Sequence, residues 1–472
     1  MWIIKESLAE LGLELPMEEQ RLQDEVSRLK GILAQQESGT PPDLPSSQIK
    51  PEYSEAILKL LYVGGMSLHH TSDVLMTWAA LQIILSANPE SPSVVKAIGY
   101  VSYGRMLIIA GEITKGYEFG LKGVAINKVL DDITLRCRVL GVFAFYIQPW
   151  IKDFGESAAL LEEAAQAGRK GADLIGIYIL KTHRLNLHLI AGLPLKGLLQ
   201  WDFEGSYPGM ELTYYITHYQ KCLIRFLTGE ASEFSIPRQN PSSLAGRLTI
   251  QEEKFYRHYV WARYYFLFGH YELAARAAEE AHANRKLQEG SPLLPANLAI
   301  WFLSITQNWF GYTDAGRVGL VARANEVLTS FESWKNFAPS NYGPVWLLMK
   351  AEWCRIGGDV LESAKFFQQS LEASGTNIYH RAVTAELWAK FLLSRNIQDP
   401  AGRSLLRSAV DSYNEWDGAA KARQLLQQYE SLLLTDPVHT QTIDIETIQY
   451  ELSGDMEVRS LVKKLMVLLL RV

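Results

Sequence analysis

The sequence predicts an all-α fold of stacked helix hairpins, on three observations. Apolar residues recur at spacings of three and four through most of the 472 residues, which is the period of one helix face. Alternating Val, Ile and Thr runs and Asn-Gly hairpin turns, which a sheet would need, do not occur. Glycines follow helix-like segments at Gly64 or Gly65, Gly111, Gly155, Gly192, Gly229, Gly269, Gly311 and Gly358, spaced by roughly 37 to 47 residues.

The repeating unit is clearest from Trp261 to Ala281, WARYYFLFGHYELAARAAEEA. One helix ends in Tyr264, Tyr265, Phe266 and Phe268. Gly269 then turns the chain, because a residue without Cβ adopts positive φ at little cost. The next helix opens with Tyr271 and carries Ala274, Ala278 and Ala281 on one face, small enough for two axes to approach closely. Gly, an aromatic two residues on and small residues thereafter form the second half of a tetratricopeptide-type hairpin. The expected architecture is a tetratricopeptide-like solenoid of about eight or nine hairpins. Such an array can exceed the size of a single-core domain, because each unit packs on its neighbours.

In order along the chain, residues 1–36 read as an N-terminal helical segment, with Leu22, Val26, Leu29 and Leu33 in register. Residues 37–52 are rich in Pro and Ser and read as a linker. Residues 53–435 form the repeat array. Within it, Val74 to Ala87 suits a buried helix, being too short for a membrane span. Phe203 to Met210, Phe234 to Ser243, Gln288 to Pro295 and Phe337 to Pro344 contain Pro or Gly and are expected to be irregular joints. Trp416-Asp417-Gly418 reads as the turn of a late hairpin. Residues 436–472 read as connector helices. In the last of these Leu461, Val462, Leu465 and Leu469 share one apolar face that needs a partner.

Composition sets bounds. A net charge of -6 argues against non-specific nucleic-acid binding, which needs a basic face. Cys137, Cys222 and Cys354 are sparse and odd in number, which fits a reducing compartment, and apolar neighbours suggest buried, inert thiols. Met1 to Ile4 is too short for a signal peptide h-region before Lys5 and Glu6. The expectation is a cytoplasmic protein.

A search for chemistry finds no catalytic, cofactor-binding or metal-binding constellation. No GxxxxGK[ST] loop exists. Asp153-Phe154-Gly155 spells a kinase motif without the glycine loop, lysine or HRD that accompany it in kinases. Asp131-Asp132 lacks a third acid at ligand spacing and reads as a helix start. His69-His70 and the pair His183 and His188 lack a completing Cys or Glu, and His183 and His188, five apart, do not share a face. The 12 tryptophans and 22 tyrosines are expected to fill gaps between hairpins.

Three stretches carry a family resemblance. Gly116, Tyr117, Glu118, Phe119 and Gly120 spell GYEFG, and Pro149-Trp150 follows. Ala409, Tyr413, Trp416, Ala420, Lys421, Leu425 and Tyr429 match a pattern A…Y..WGA.AK…L…Y, with Asp417-Gly418 in place of Gly-Ala. Ile443 to Ile448, Ser453 and Leu461 to Leu465 look like a connector, with Asp455 and Met456 an imperfect fit to it. Together these resemble the tetratricopeptide-like region of large hybrid signalling kinases. There a serine/threonine kinase-like domain and an AAA/NACHT-type ATPase precede the helical region, and a GAF domain and often a histidine kinase follow it. The resemblance implies a non-catalytic scaffold that couples an ATPase switch to sensor and kinase domains through protein–protein contacts. The alternative is a stand-alone adaptor or ligand-sensing solenoid with a partner-binding groove.

Overall fold

The structure, a computed structural model, describes residues 2–38, 53–86, 93–199, 210–236 and 247–433. It is all-α, and its helices pack in sequence-adjacent pairs, as the periodicity predicts. No helix of the described residues is long and apolar enough to cross a membrane. The connector helix with Leu461, Val462, Leu465 and Leu469 lies outside the described residues. The chain divides into two compact units. The first comprises Met1–Ile151, Glu156–Arg184 and Glu289–Ser291, the second Lys152–Gly155, Leu185–Gln288 and Pro292–Val472.

The first unit contains α1 (Trp2–Glu10), α2 (Glu19–Glu37), α3 (Ser54–Thr71), α4 (Asp73–Ser86), α5 (Val95–Ile109), α6 (Ile113–Leu130) and α7 (Ile133–Val142). Most of α8 (Phe154–Gly171) and the first part of α9 (Leu174–Ala191) also belong to it. The N-terminal segment is two helices where the apolar spacing suggested one. Gly12, at φ 85°, ends α1, and Leu13 and Leu15 turn into the core before α2 begins. The stripe on α2 behaves as expected: Leu22, Val26, Leu29 and Leu33 are buried, and the helix packs on α4. α4 is apolar on every side and is enclosed accordingly, with Leu75, Trp78 to Leu81, Ile83 and Ile84 all buried. α7 runs into a π-helical turn at Phe143–Ile147 and a 3-10 turn at Gln148–Trp150.

The second unit takes up α10 (Glu211–Leu227), α11 (Arg247–Leu267), α12 (Tyr271–Ala283), α13 (Leu293–Gln307), α14 (Asp314–Phe337) and α15 (Pro339–Ile356). It continues with α16 (Val360–Glu372), α17 (Ile378–Arg395), α18 (Pro400–Glu415), α19 (Ala419–Gln428) and α20 (Glu430–Leu433). The hairpins α11–α12, α15–α16 and α17–α18 are the tightest pairs, and Ala274, Ala278 and Ala281 of α12 are fully buried as their spacing predicts. Successive hairpins are not the only neighbours. Tyr271 of α12 meets Lys390 of α17, Asn377 reaches the carbonyl of Ile190 in α9, and α10 touches α19. An ideal solenoid unit touches only adjacent units. Here the early and late helices of the second unit are tied directly together.

The hairpin turns follow one backbone plan. At Gly269, φ is 81°; its N–H donates to Phe266 O and that of His270 to Tyr265 O, which satisfies two carbonyls left open at the end of α11. Gly111 and Gly358 repeat both bonds, and Gly192 and Gly229 share the positive φ. Three expected turn glycines differ. Gly64 and Gly65 lie inside α3, Gly155 lies in the first turn of α8, and Gly311 closes a short 3-10 turn without positive φ. The Trp416–Gly418 turn is present, but its left-handed residue is Asp417, at φ 67°. Phe337 to Pro344, expected to be irregular, is almost wholly helical. α14 runs to Phe337, and Pro339 opens α15 at a position where a missing N–H costs nothing. Of the cysteines, Cys137 is buried, and burial pushes its thiol up to about 12; Cys222 and Cys354 are only half-buried, against expectation.

Candidate functional site

In the first unit the GYEFG residues form the seam between α5 and α6. A Cβ added at Gly104 of α5 would lie 2.6 Å from Gly116 O and 3.0 Å from Gly120 N. One added at Gly116 would lie 2.7 Å from Gly104 O, and one at Gly123 2.7 Å from Ala97 O. Gly116, Gly120 and Gly123 fall on one helical face, so the two backbones touch where side chains would normally separate them. Phe119 flanks this seam, edge-on to Tyr103 at 5.0 Å and stacked on Tyr100 at 5.9 Å. Tyr117 lies 5.6 Å from Phe143 at the start of the π-helical turn. Pro149 and Trp150 are buried just beyond that turn, and the Trp150 indole donates to Gly290 O at 2.9 Å.

His183 stacks on Phe145 of the same turn, with ring centres 3.9 Å apart, and Tyr146 stands edge-on to it. Burial, reinforced by Arg105, pulls its pKa down to about 3, so the ring is neutral at pH 7. Asp132 caps α7, accepting from the N–H groups of Thr134 and Leu135, while Asp131 takes the left-handed position before it. Asp153 accepts from Gly155 N at 2.7 Å ahead of α8. Among the described residues no group of three or more His, Cys, Asp or Glu is arranged to hold a metal ion.

In the second unit Tyr413, Trp416 and Lys421 converge around α17. Glu386, buried in that helix, accepts from Tyr413 Oη at 2.7 Å, Lys421 Nζ at 2.8 Å and Lys390 Nζ at 2.6 Å. Lys390 also donates to Tyr271 Oη at 2.9 Å, and Lys421 to Gln424 at 2.9 Å. Burial would push the Glu386 carboxyl up, but the Lys390 and Lys421 ammonium groups outweigh it and hold the acid at about 2. Two cations share this one carboxylate. Burial and the second ammonium leave Lys421 lowered to about 8 despite Glu386, whereas Glu386 and Tyr271 outweigh burial and raise Lys390. Trp416, fully buried, packs 4.8 Å from Tyr379. Its turn is fixed by the Asp417 carboxylate, which accepts from Lys196 N at 2.9 Å, while Leu195 N donates to Trp416 O at 3.2 Å.

Close to this network the second unit has a partly open cavity of about 80 Å3. Its walls are mainly apolar: Phe154, Phe266, Ile300, Leu303, Phe331 and Val383 contribute, with Arg263, Asn341, Tyr342, Asn377, Tyr379 and His380 as the polar groups. Asn341 uses its amide on Phe154 N and Lys152 O, and Asn377 on His380 N and Ile190 O. Both therefore pin the walls. His380 Nε2 lies 3.0 Å from Ser370 Oγ, and burial lowers this ring to about 4. Arg263, 2% exposed, donates to Tyr259 Oη at 2.9 Å and to Leu189 O at 3.1 Å and lies 5.3 Å from the Tyr379 ring.

Sequence reasoning found Tyr413, Trp416 and Lys421 but missed Glu386, Lys390, Tyr271 and Arg263 as members of a site. Two signals were available. Glu386 and Lys390 stand four apart in the stretch Ala385 to Leu393, which is otherwise Ala, Leu, Trp and Phe, and Arg263 is the lone charge in the aromatic run from Trp261 to Phe268.

No protein-family model and no curated protein matches this chain.

Proposed function

We propose that this chain is a non-catalytic, cytoplasmic helical-repeat scaffold of a multidomain signalling kinase, coupling an ATPase switch to sensor and kinase domains through protein–protein contacts. The observation that carries the reading is where the motif residues lie. Gly116 brings two backbones together, Gly120 makes room for Phe143 and Ile147, Trp150 and Trp416 are buried, and Tyr413 and Lys421 bind an internal carboxylate. Each of them serves a contact within its own unit. Residues used in this way make helix pairs stiff, and a stiff array can pass a displacement from one flanking domain to another.

The test is to sequence the DNA on both sides of the reading frame. ATPase motifs upstream with GAF and kinase motifs downstream, in frame, are the expected result. Unrelated neighbours on both sides would overturn the reading.

A further inference from the structure

We propose that the cavity in the second unit is a binding site for a small organic monocarboxylate, anchored by Arg263 with its short apolar body against Phe266, Ile300, Leu303 and Val383. The inference is independent of the kinase reading, because it rests on the cavity alone.

A buried cation normally has a carboxylate to compensate its lost hydration. The other fully buried cation among the described residues of this unit, Lys421, lies on Glu386. The half-buried Arg355 likewise lies on the buried Glu352, at 2.7 Å. Arg263 touches only a phenol and a carbonyl, and among the described residues no acid pairs with it. Its Nε–H is buried and finds no acceptor. Tyr259 and Leu189 hold the two terminal nitrogens, so the guanidinium is fixed in place with a donor left over. An acid supplied from outside completes such a group with a charge-assisted hydrogen bond.

Asn341 and Asn377 have already used their amides on backbone groups, and His380 is neutral at pH 7. Among the described residues Arg263 is thus the one charge on the cavity wall, and a second carboxylate on the ligand would be buried without a cation to compensate it. That favours a monoanion over a dianion. The remaining wall is apolar, which suits a hydrocarbon body. A water needs roughly 10–15 Å3 of such space, so about 80 Å3 admits on the order of six non-hydrogen atoms. Butanoate has that size.

The experiment is calorimetric titration and thermal unfolding of the full chain with butanoate, butanamide, succinate and sodium chloride at constant ionic strength. Butanoate is expected to bind and to raise Tm, with butanamide and succinate weaker by about tenfold or more, from the lost charge-assisted bond or the unpaired second charge. Arg263→Met is expected to abolish the butanoate shift and, without ligand, to unfold at the same or a higher temperature, since an uncompensated buried charge is removed. Ala299→Leu, which keeps Arg263 and fills the cavity, is expected to fold and to lose binding. Equal response to butanoate and butanamide, no response to butanoate, or binding retained in Ala299→Leu would overturn the proposal. A Tm shift reproduced by chloride alone would overturn the organic body and leave an inorganic anion in its place.

Discussion

In the first unit, α5 and α6 are held together where side chains are missing; in the second, α17, α18 and α19 are held together by charges. The glycine seam works through shape. Gly104, Gly116 and Gly123 let two backbones meet, Gly120 makes room for Phe143 and Ile147, and the attraction is the sum of many small dispersion contacts. The charged seam works through one carboxylate, Glu386, which three donors reach from α17, α18 and α19. Any added atom harms the first seam. The second is harmed by an unbalanced charge. Both seams coincide with stretches that stand out in the sequence, so one family-like pattern can mark two unrelated physical devices.

The largest effect is expected at the charged seam. Glu386→Gln leaves two buried ammonium groups facing each other and should cost about 3–5 kcal/mol in urea unfolding. Lys421→Met should cost much less, within about 1 kcal/mol of wild type, because Glu386 keeps Lys390 and Tyr413. Equal losses from the two substitutions would break the comparison.

At the glycine seam, Gly104→Ala should cost about 1–3 kcal/mol, since the new methyl meets backbone atoms that cannot turn aside. Gly31 in α2 provides the control: a Cβ there meets nothing within 4 Å, so Gly31→Ala should stabilise by up to about 1 kcal/mol. A loss at Gly31 as large as that at Gly104 would mean that helix geometry, not close packing, sets the cost.

The seams should also differ in their response to pH. Lys421 is lowered in the folded protein to about 8 from 10.5, so the unfolded chain binds more protons in that window. Its contribution therefore makes stability rise as pH climbs from about 8 towards 10.5. Glu386 acts at the other end. Its pKa is depressed to about 2 from 4.5, so its stabilisation is complete above 4.5 and is lost as pH falls towards 2. Chemical unfolding of wild type and Lys421→Met at pH 8 and pH 10 reads the first effect directly: the substitution should remove the rise.

The smallest effect is expected at the turn. Asp417 adopts φ 67°, which costs an ordinary residue about 1–2 kcal/mol, and its carboxylate returns part of that by binding Lys196. Asp417→Gly removes both terms and should change stability by a few tenths of a kcal/mol, whereas Asp417→Ala keeps the strain and loses the bond, costing about 1 kcal/mol. Thermal unfolding of the two variants side by side orders them.

These contrasts show what could be read in advance. Turns such as Gly269 and Gly358 are legible because a left-handed helix end selects glycine locally. Gly64, Gly65 and Gly155 misled because glycine is also tolerated inside helices, where position in the sequence does not reveal the neighbour across the gap. Pairing was hidden for the same reason. Glu386 and Lys421 lie 35 residues apart and Lys390 and Tyr271 lie 119 apart, and helical periodicity says which face is buried but not what it is buried against. Arg263 was visible as a charge among aromatics; that no acid among the described residues reaches it is a property of the folded chain alone.

The double-mutant cycle joining Glu386→Gln and Lys421→Met tests most directly whether the recognised motif is an internal electrostatic lock. If it is, Lys421→Met introduced into the Glu386→Gln protein removes an uncompensated ammonium and restores stability, so the double mutant unfolds at higher urea than Glu386→Gln alone, with a coupling of about 0.5–3 kcal/mol. Strictly additive losses would contradict the account, because Lys421 would then be acting independently of the carboxylate it touches.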